Sequence, residues 1–208
     1  SASASIYAIG QPTTDVRSPW FEPLYLVLTA GVALSFLTGD LFNLFVGFEV
    51  MLVASYVLIT LGARADQVRT GMTYVVISLL ASTLFITAVA LLYASTGTVN
   101  MADLAGRLDA LDPGLRTAIS LLFLVVFGIK AAIFPLFFWL PDSYPTAPTP
   151  VTAIFAGLLT KVGIYAIIRT QTLLFADTAG SEVLLWLAGP TMLVGVLGAI
   201  AQSDMKRI

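Results

Sequence analysis

Six continuous apolar runs, each close to the length of one membrane crossing, set the strongest limit on what this chain can fold into. A hydrocarbon core about 30 Å thick needs roughly 20 apolar residues of α-helix to cross it. The six runs cover residues 21–37, 41–61, 73–93, 117–140, 151–174 and 183–201. We therefore predict an all-α, polytopic transmembrane helix bundle of six spans over residues 21–208, preceded by a polar lead-in over residues 1–20.

The composition agrees with this reading and excludes several functions. Charged residues make up 11% of the 208 residues, whereas soluble domains contain about 25%. The absence of Cys and His removes the usual ligands of zinc, haem and iron–sulfur clusters, so we expect no metal and no redox cofactor. A net charge of −2 without any basic run argues against nucleic acid as a partner. Because the chain begins with Ser and stops in a basic stretch, we read it as a piece of a longer protein.

Three ionisable side chains lie deep inside the apolar runs. Glu49 lies about eight residues into the second run, Lys161 about ten residues into the fifth, and Lys130 more than about ten residues into the fourth. Each such group costs about 2.5–3.5 kcal/mol at the centre of a membrane helix, or roughly 8–10 kcal/mol for three isolated groups. We therefore predict that all three side chains face the interior of the bundle.

These charges favour a proton path, with a structural ion pair as the alternative. Membrane-buried charges typically mark ion or proton pathways, whereas a buried ion pair rarely adds net stability compared with apolar residues. We predict a relay through Glu49, Lys130 and Lys161, in which the carboxylate holds a lysine protonated when it is close and releases that proton when it moves away. In the alternative, Glu49 and one lysine only fix the register of two helices.

Prolines predict an interruption near one of these lysines. Half of the ten prolines lie in one segment, at Pro135, Pro141, Pro145, Pro148 and Pro150. Because Pro135 removes a helical hydrogen bond inside the fourth run, we predict a helix break between Gly128 and Pro135. Irregular backbone at membrane depth is tolerated only where it is buried in protein or lines water, so the break predicts a polar cavity beside Lys130. Pro190 predicts a kink in the sixth run.

Other polar and aromatic residues give weaker signals. Possible polar support for a water chain comes from Asn43, Ser55, Ser78, Ser82, Thr83, Thr87, Thr160 and Tyr165. Small hydroxyls are also common at plain helix contacts, and packing is the favoured interpretation for them. The stripe Phe134, Phe137, Phe138 and Trp139 predicts an aromatic belt at the membrane interface. Asp142 is expected to contact water or to cap a helix.

The loops divide the basic residues unequally. One set of alternate loops carries Arg17, Arg64, Arg69, Lys206 and Arg207. The other set carries Arg107, Arg116 and Arg169 among the acidic residues Asp40, Asp103, Asp109, Asp112, Asp177 and Glu182. Because lysine and arginine collect in cytoplasmic loops, we predict that the first set is cytoplasmic. The longest connection, residues 94–116, has the helical spacing of leucines and charges that predicts a short amphipathic interfacial helix.

Two stretches of the sequence resemble a known family of membrane proteins. The run 38–58, which contains Glu49, resembles the glutamate-bearing helix of the D subunit of Mrp-type multisubunit cation/proton antiporters. The pattern Lys-x4-Pro-x3-Trp-Leu-Pro begins at Lys130, and Lys161 follows 31 residues later. This pattern resembles the core shared with the antiporter-like subunits of respiratory complex I. The resemblance covers nearly all of the chain from Phe21 onward.

The resemblance implies a fold and a set of roles. Such subunits have about fourteen helices in two inverted repeats, and the six runs here resemble the fourth to the ninth. Glu49 then corresponds to the family's pairing glutamate, Lys130 to the broken-helix lysine that it tunes, and Lys161 to the central relay lysine. The family's next relay residue would lie beyond residue 208. Other membrane subunits are the implied partners, with no organic cofactor, in the cytoplasmic (inner) membrane of a prokaryote.

Two functions remain open at this point. The first is the proton-translocating subunit of a multisubunit cation/proton antiporter, with Na⁺ as the expected cation and an ion gradient rather than an enzymatic reaction as the driving force. The alternative is an antiporter-like proton-pumping subunit of a respiratory NADH:quinone oxidoreductase or a membrane-bound hydrogenase complex. A passive membrane scaffold, in contrast, would tolerate replacement of the three charged residues.

The topology can be tested with single cysteines at Ala63 and Gly106 in the full-length protein. We expect a membrane-impermeant thiol reagent to label the two positions from opposite sides, because only the third span separates them. The absence of cysteine from this stretch keeps its own background low. Labelling of both positions from the same side would contradict the odd number of crossings between them.

Overall fold

The computed structural model describes residues 2–10, 16 and 18–208, and these residues fold almost entirely into helices. The helices are α1 (Ala2–Ile9), α2 (Phe21–Leu37), α3 (Leu41–Thr60), α4 (Ala65–Thr96), α5 (Met101–Arg107), α6 (Pro113–Ala131), α7 (Leu140–Ser143), α8 (Thr149–Ile154), α9 (Thr160–Leu173) and α10 (Gly180–Ile200). A π-helical turn, Phe155–Leu159, joins α8 to α9 in one continuous span, Thr149–Leu173. Helix α1 falls in the polar lead-in, for which we made no helix prediction.

The helices confirm the predicted membrane-type architecture. Five helices within the described residues are long and apolar enough to cross a membrane, and α2 is a shorter apolar helix of 17 residues. All six overlap the predicted runs. Helix α4 is longer than expected, with 32 residues, because its first two turns are polar and leave no mark in the hydropathy. The predicted fourth run continues to residue 140, but α6 ends at Ala131.

Side-chain caps explain where several helices begin. The carboxylate of Asp40 accepts a hydrogen bond from the backbone N–H of Asn43 at the start of α3, at 2.8 Å. Asn100 caps α5 and Asp112 caps α6 in the same way. Capping satisfies N–H groups that a helix start leaves without partners. The first turns of α3 and α6 therefore sit at polar ends of the bundle.

Close packing through small residues sets the distances between the helices. A Cβ atom on Gly31 of α2 would lie 2.7 Å from the backbone nitrogen of Met51 in α3. A Cβ atom on Gly163 of α9 would lie 2.7 Å from the backbone nitrogen of Ala131 in α6. Membrane helices commonly use small residues for such approaches. The Gly163 crossing fixes α9 against the end of α6.

Phenylalanines fill the interior between α3, α4 and α6. Phe85 of α4 meets Phe48 of α3 edge to face, with 5.9 Å between ring centroids. It meets Phe127 of α6 in the same way at 5.0 Å. Aromatic pairs in this geometry contribute about 0.5–1.5 kcal/mol beyond their buried area. This cluster holds the three helices that surround Lys130.

The connection between α4 and α6 is a short helix with one buried face, as predicted. Met101, Leu104 and Leu108 are buried, whereas Asp103 and Arg107 are exposed and form an ion pair at 2.9 Å. The hydrogen bond from Arg107 is the main reason that the pKa of Asp103 lies below its usual range. The regular part spans Met101–Arg107 and a further 3₁₀ turn, which is less than the predicted range of 94–116.

Basic residues assigned to one side of the membrane meet at one end of the bundle, which we call the basic end. The guanidinium group of Arg64 donates to the carbonyl of Thr146 at 3.1 Å. The ammonium group of Lys206 donates to the carbonyl of Ala147 at 2.8 Å, and partial burial lowers its pKa. The segment between α7 and α8 is therefore held by side chains from two other parts of the chain. Arg17, assigned to the same side, lies outside the described residues.

Helix α10 packs at the edge of the structure. It continues through Pro190 as one helix, and its apolar side chains are largely exposed within the described part of the chain. Thr191 holds it to the broken region, because its hydroxyl accepts the backbone N–H of Phe134 at 3.1 Å. Beyond α10, Arg207 lies 3.6 Å from Asp142, so this exposed carboxylate faces a cation and solvent.

The close crossing of α9 and α6 predicts that Gly163→Ala destabilises the protein. The new methyl group would overlap backbone atoms, which cannot move as a flexible side chain can, so we expect a loss of about 1–3 kcal/mol. The loss should appear as a lower Tm of the intact complex that contains the full-length protein. Gly106→Ala is the matched control, because a Cβ there meets nothing within 4 Å. Equal Tm values for the two variants would show that the crossing is not tight.

Candidate functional site

Helix α6 ends inside the bundle, in the interval predicted from the sequence. Ala132 adopts a left-handed backbone conformation, with φ 55°, and its N–H turns back to the carbonyl of Ile129 at 3.2 Å. The N–H of Ile133 reaches the carbonyl of Gly128 at 3.1 Å. The chain then passes Pro135 without helical structure before α7 begins. The predicted break between Gly128 and Pro135 is therefore present, and the helix stops before it reaches the proline.

Trp139 satisfies part of the backbone that this break exposes. Its indole N–H donates to the carbonyl of Ile129 at 3.1 Å, and its side chain is buried. Carbonyl groups at a helix end need such partners, because lipid supplies none. The prediction that Trp139 belongs to an interfacial aromatic belt is therefore wrong, since the chain folds back and buries it. Phe138, its neighbour, is exposed.

Lys130 lies in the last turn of α6 and is 8% exposed. Its ammonium group donates to the hydroxyl of Ser82 in α4 at 3.3 Å. The same group lies 4.9 Å from the centre of the Phe48 ring, within cation–π range. A cation in the last turn of a helix also meets the negative end of the helix dipole. The Ser82 hydroxyl, the Phe48 ring and the helix dipole thus compensate for the loss of water around this charge.

Ser82 joins Lys130 to Glu49. The hydroxyl of Ser82 donates a hydrogen bond to the carboxylate of Glu49, which is half-buried on α3. No ion pair within 4.0 Å joins Glu49 directly to Lys130, although the structure describes both residues. The three side chains form one hydrogen-bonded chain from ammonium to hydroxyl to carboxylate across α6, α4 and α3. A hydroxyl can accept and donate at once, so this arrangement is suited to moving a proton.

Lys161 is not part of this cluster. Its side chain is exposed in the described part of the chain, which differs from the expected interior orientation. Its ammonium group donates to the carbonyl of Ala156 at 2.6 Å and lies 3.4 Å from the hydroxyl of Thr160. The residue follows the π-helical turn closely, and such turns occur frequently at functional sites. Its backbone lies close to the end of α6, because Gly163 packs on Ala131.

The remaining polar candidates differ in burial: some are buried or half-buried, and three are exposed. Ser55 and Ser78 are buried, and the hydroxyl of Ser55 lies 2.8 Å from that of Tyr74. Elsewhere, Thr160 is buried beside Lys161, and the Tyr165 hydroxyl donates to the carbonyl of Phe36 at 2.9 Å. Three candidates lie outside the site and are exposed: Asn43, Thr83 and Thr87. The hydroxyls of these two threonines bond to carbonyls of their own helix.

Several residues that surround Lys130 are absent from the set predicted from the sequence. They are Phe48, which precedes Glu49, and the two tyrosines Tyr74 and Tyr144. One signal was available, because Tyr74, Ser78 and Ser82 are spaced by four residues and so share one face of a helix. Tyr144 had no comparable signal, since it lies in the proline-rich segment whose path the pattern does not predict.

Comparison with known proteins places this geometry in a family. Residues 38–208 match the family described as NADH:quinone oxidoreductase/Mrp antiporter, TM. The chain is 56% identical over 205 residues to the D subunit of the Na⁺/H⁺ antiporter of Alkalihalophilus pseudofirmus, and the match covers 97% of this chain and 42% of that protein. The chain therefore spans about two fifths of the length of this relative.

Solved structures agree with the sequence match. A chain of the Mrp complex from a Dietzia species superposes with a TM-score of 0.79 at 41% identity, covering 89% of this chain and 35% of that chain. A chain of an archaeal respiratory complex, the membrane-bound sulfane sulfur reductase, superposes with a TM-score of 0.83 at 34% identity, covering 88% and 38%. The resemblance found from the glutamate- and lysine-bearing runs is thereby confirmed. This chain is part of an integral membrane protein and belongs to the NADH:quinone oxidoreductase/Mrp antiporter transmembrane family.

Proposed function

We propose that this chain is part of the proton-translocating subunit of a multisubunit Na⁺/H⁺ antiporter. The observation that carries the proposal is the hydrogen-bonded chain from the buried Lys130 through Ser82 to the half-buried Glu49. A charged lysine in this setting costs several kcal/mol unless it is compensated, so retaining one indicates a use beyond packing. The 56% identity to the D subunit of an Na⁺/H⁺ antiporter supports the choice of cation and of complex.

In the proposed mechanism, Glu49 controls whether Lys130 keeps its proton. The negative carboxylate stabilises the ammonium form through the intervening hydroxyl. When Glu49 is neutralised, or when its contact with Ser82 opens, this stabilisation is lost and Lys130 releases its proton. Ser82 accepts from the lysine and donates to the glutamate, so it transmits the charge state of one group to the other. No part of this mechanism requires an organic cofactor.

Lys161 is the next carrier in the proposal. Its exposed ammonium group lies outside the hydrogen-bonded chain of Glu49 and Lys130, on a surface that the remaining three fifths of the longer relatives could cover. We further propose that the protein works with other membrane subunits in the cytoplasmic membrane of a prokaryote, with the basic end in the cytoplasm.

The alternative is a proton-pumping subunit of a respiratory membrane complex. It is favoured by the superposition on the sulfane sulfur reductase complex, whose TM-score exceeds that for the Mrp complex. Sequence identity favours the antiporter, at 41% against 34%. Purification of the intact complex decides between them. Cation-dependent proton flux in vesicles without redox subunits supports the antiporter, whereas copurifying redox subunits and flux that requires an electron donor support the alternative.

The relay predicts distinct effects for its two charged members in the full complex. Lys130→Ala should reduce exchange to background, a loss of at least about 100-fold, because the proton carrier is gone. Glu49→Ala should reduce exchange by at least about tenfold, and Glu49→Asp should retain more activity. The double variant should be no slower than Lys130→Ala, as expected for groups that act as a unit. The measurement is proton flux in vesicles at matched abundance and assembly, and undiminished flux in Lys130→Ala would leave only the structural ion-pair interpretation.

The bridging hydroxyl gives a second test with a neighbouring control. Ser82→Ala removes the link between Glu49 and Lys130, and we expect exchange to fall about tenfold, a barrier increase of about 1.4 kcal/mol. Ser82→Thr keeps a hydroxyl and should retain more activity. Thr83→Ala is the matched control, because its exposed hydroxyl bonds to the carbonyl of Leu79 on its own helix. Equal exchange rates for Ser82→Ala and Thr83→Ala would show that Ser82 is not part of the relay.

A further inference from the structure

A small cavity adjoins Lys130 on a side that the relay does not use. Its volume is about 20 Å³, and its lining includes Tyr74, Ser78, Lys130 and Tyr144 among apolar side chains. A cavity needs about 10–15 Å³ to hold one water molecule, together with two to four polar partners. The volume meets the first condition, and the lining contains four residues with polar side-chain ends that can serve as partners.

Tyr144 supplies the group that most needs such a water. Its side chain is 4% exposed, and its hydroxyl has no hydrogen-bond partner within the part of the chain that the structure describes. The hydroxyl of Tyr74, in contrast, is paired with Ser55. Burial holds the pKa of Tyr144 well above its usual range, so its hydroxyl keeps its proton. Buried hydroxyls are nearly always bonded to protein or to ordered water, and a lasting exception would be costly.

We propose that one water molecule binds in this cavity between the hydroxyl of Tyr144 and the ammonium group of Lys130. Tyr144 is then a positioning residue, which holds the water through which Lys130 exchanges protons with the basic end. The inference rests on the proposed function of Lys130 and adds the side from which its proton is supplied. The water accepts a proton from Lys130 or donates one to it, and the Tyr144 hydroxyl fixes the oxygen in place without ionising.

Trp139 separates this cavity from a larger cleft. The cleft has a volume of about 650 Å³, opens at the basic end and is lined by Asp66, Arg69 and Asp142. Trp139 lines both the cleft and the small cavity. Its ring packs edge to face against Tyr144, with centroids 5.6 Å apart. Trp139 is therefore the wall shared by the cleft and the small cavity beside Lys130.

The test is Tyr144→Phe in the full-length protein within the intact complex. Cryo-electron microscopy at a resolution that shows water should reveal density between Tyr144 and Lys130 in the parent protein and lose it in the variant. Proton flux in vesicles should fall about tenfold. Tyr56→Phe is the matched control, because Tyr56 packs edge-on against Tyr74 but does not line the cavity, and it should change neither result.

Thermal stability distinguishes a bound water from an unsatisfied hydroxyl. If the Tyr144 hydroxyl merely lacks a partner, Tyr144→Phe removes a buried penalty and raises Tm. If it holds a water, Tm stays the same or falls. A raised Tm with unchanged flux overturns the proposal, as does water density that persists in Tyr144→Phe. If the relay itself fails, proton flux in Lys130→Ala will be undiminished. The water density between Tyr144 and Lys130 would still show whether the water site exists.

Discussion

The structure around the candidate site depends on how a helix can end inside an apolar bundle. A helix end leaves carbonyl groups without partners, and lipid offers none. Here the left-handed turn at Ala132 and the indole N–H of Trp139 both supply partners to the carbonyl of Ile129. The break therefore persists without exposing backbone to lipid. It also places Lys130 at the negative end of the helix dipole, where an ammonium group is most easily accommodated.

A hydroxyl between the two charges keeps Glu49 and Lys130 from pairing directly. A direct contact between Glu49 and Lys130 would gain Coulomb energy at low dielectric and would hold the lysine firmly protonated. The inserted hydroxyl of Ser82 lengthens the separation while keeping both charges hydrogen-bonded. The Phe48 ring adds a weaker cation–π contact. Both contacts help to compensate for burying the ammonium group of Lys130.

The sequence could predict the helices better than the site. Hydropathy reports burial in lipid directly, so α2 begins and ends at the predicted residues, 21 and 37. Pro135 indicated that a break was near, but not that the chain would turn back at Ala132. Ser82 and Thr83 were equally good candidates from the sequence, although neighbouring residues point about 100° apart around a helix. The pattern does not give the rotation of α4 relative to α3 and α6, so it does not tell which of the two hydroxyls faces the site. The exposed position of Lys161 likewise depends on the rotation of α9, which the pattern does not give.

The surroundings of Lys130 constrain how a proton can enter and leave without a large movement of helices. One side of the ammonium group faces the Ser82 hydroxyl and Glu49, and another faces the cavity that Tyr144 lines. Phe48, Phe85 and Phe127 fill the space between the helices and resist a change of spacing. Motion is therefore cheapest in the flexible stem of the Lys130 side chain. Under the proposed relay, alternation between the two sides of one amine would take the place of the rocking of helix bundles that other transporters use.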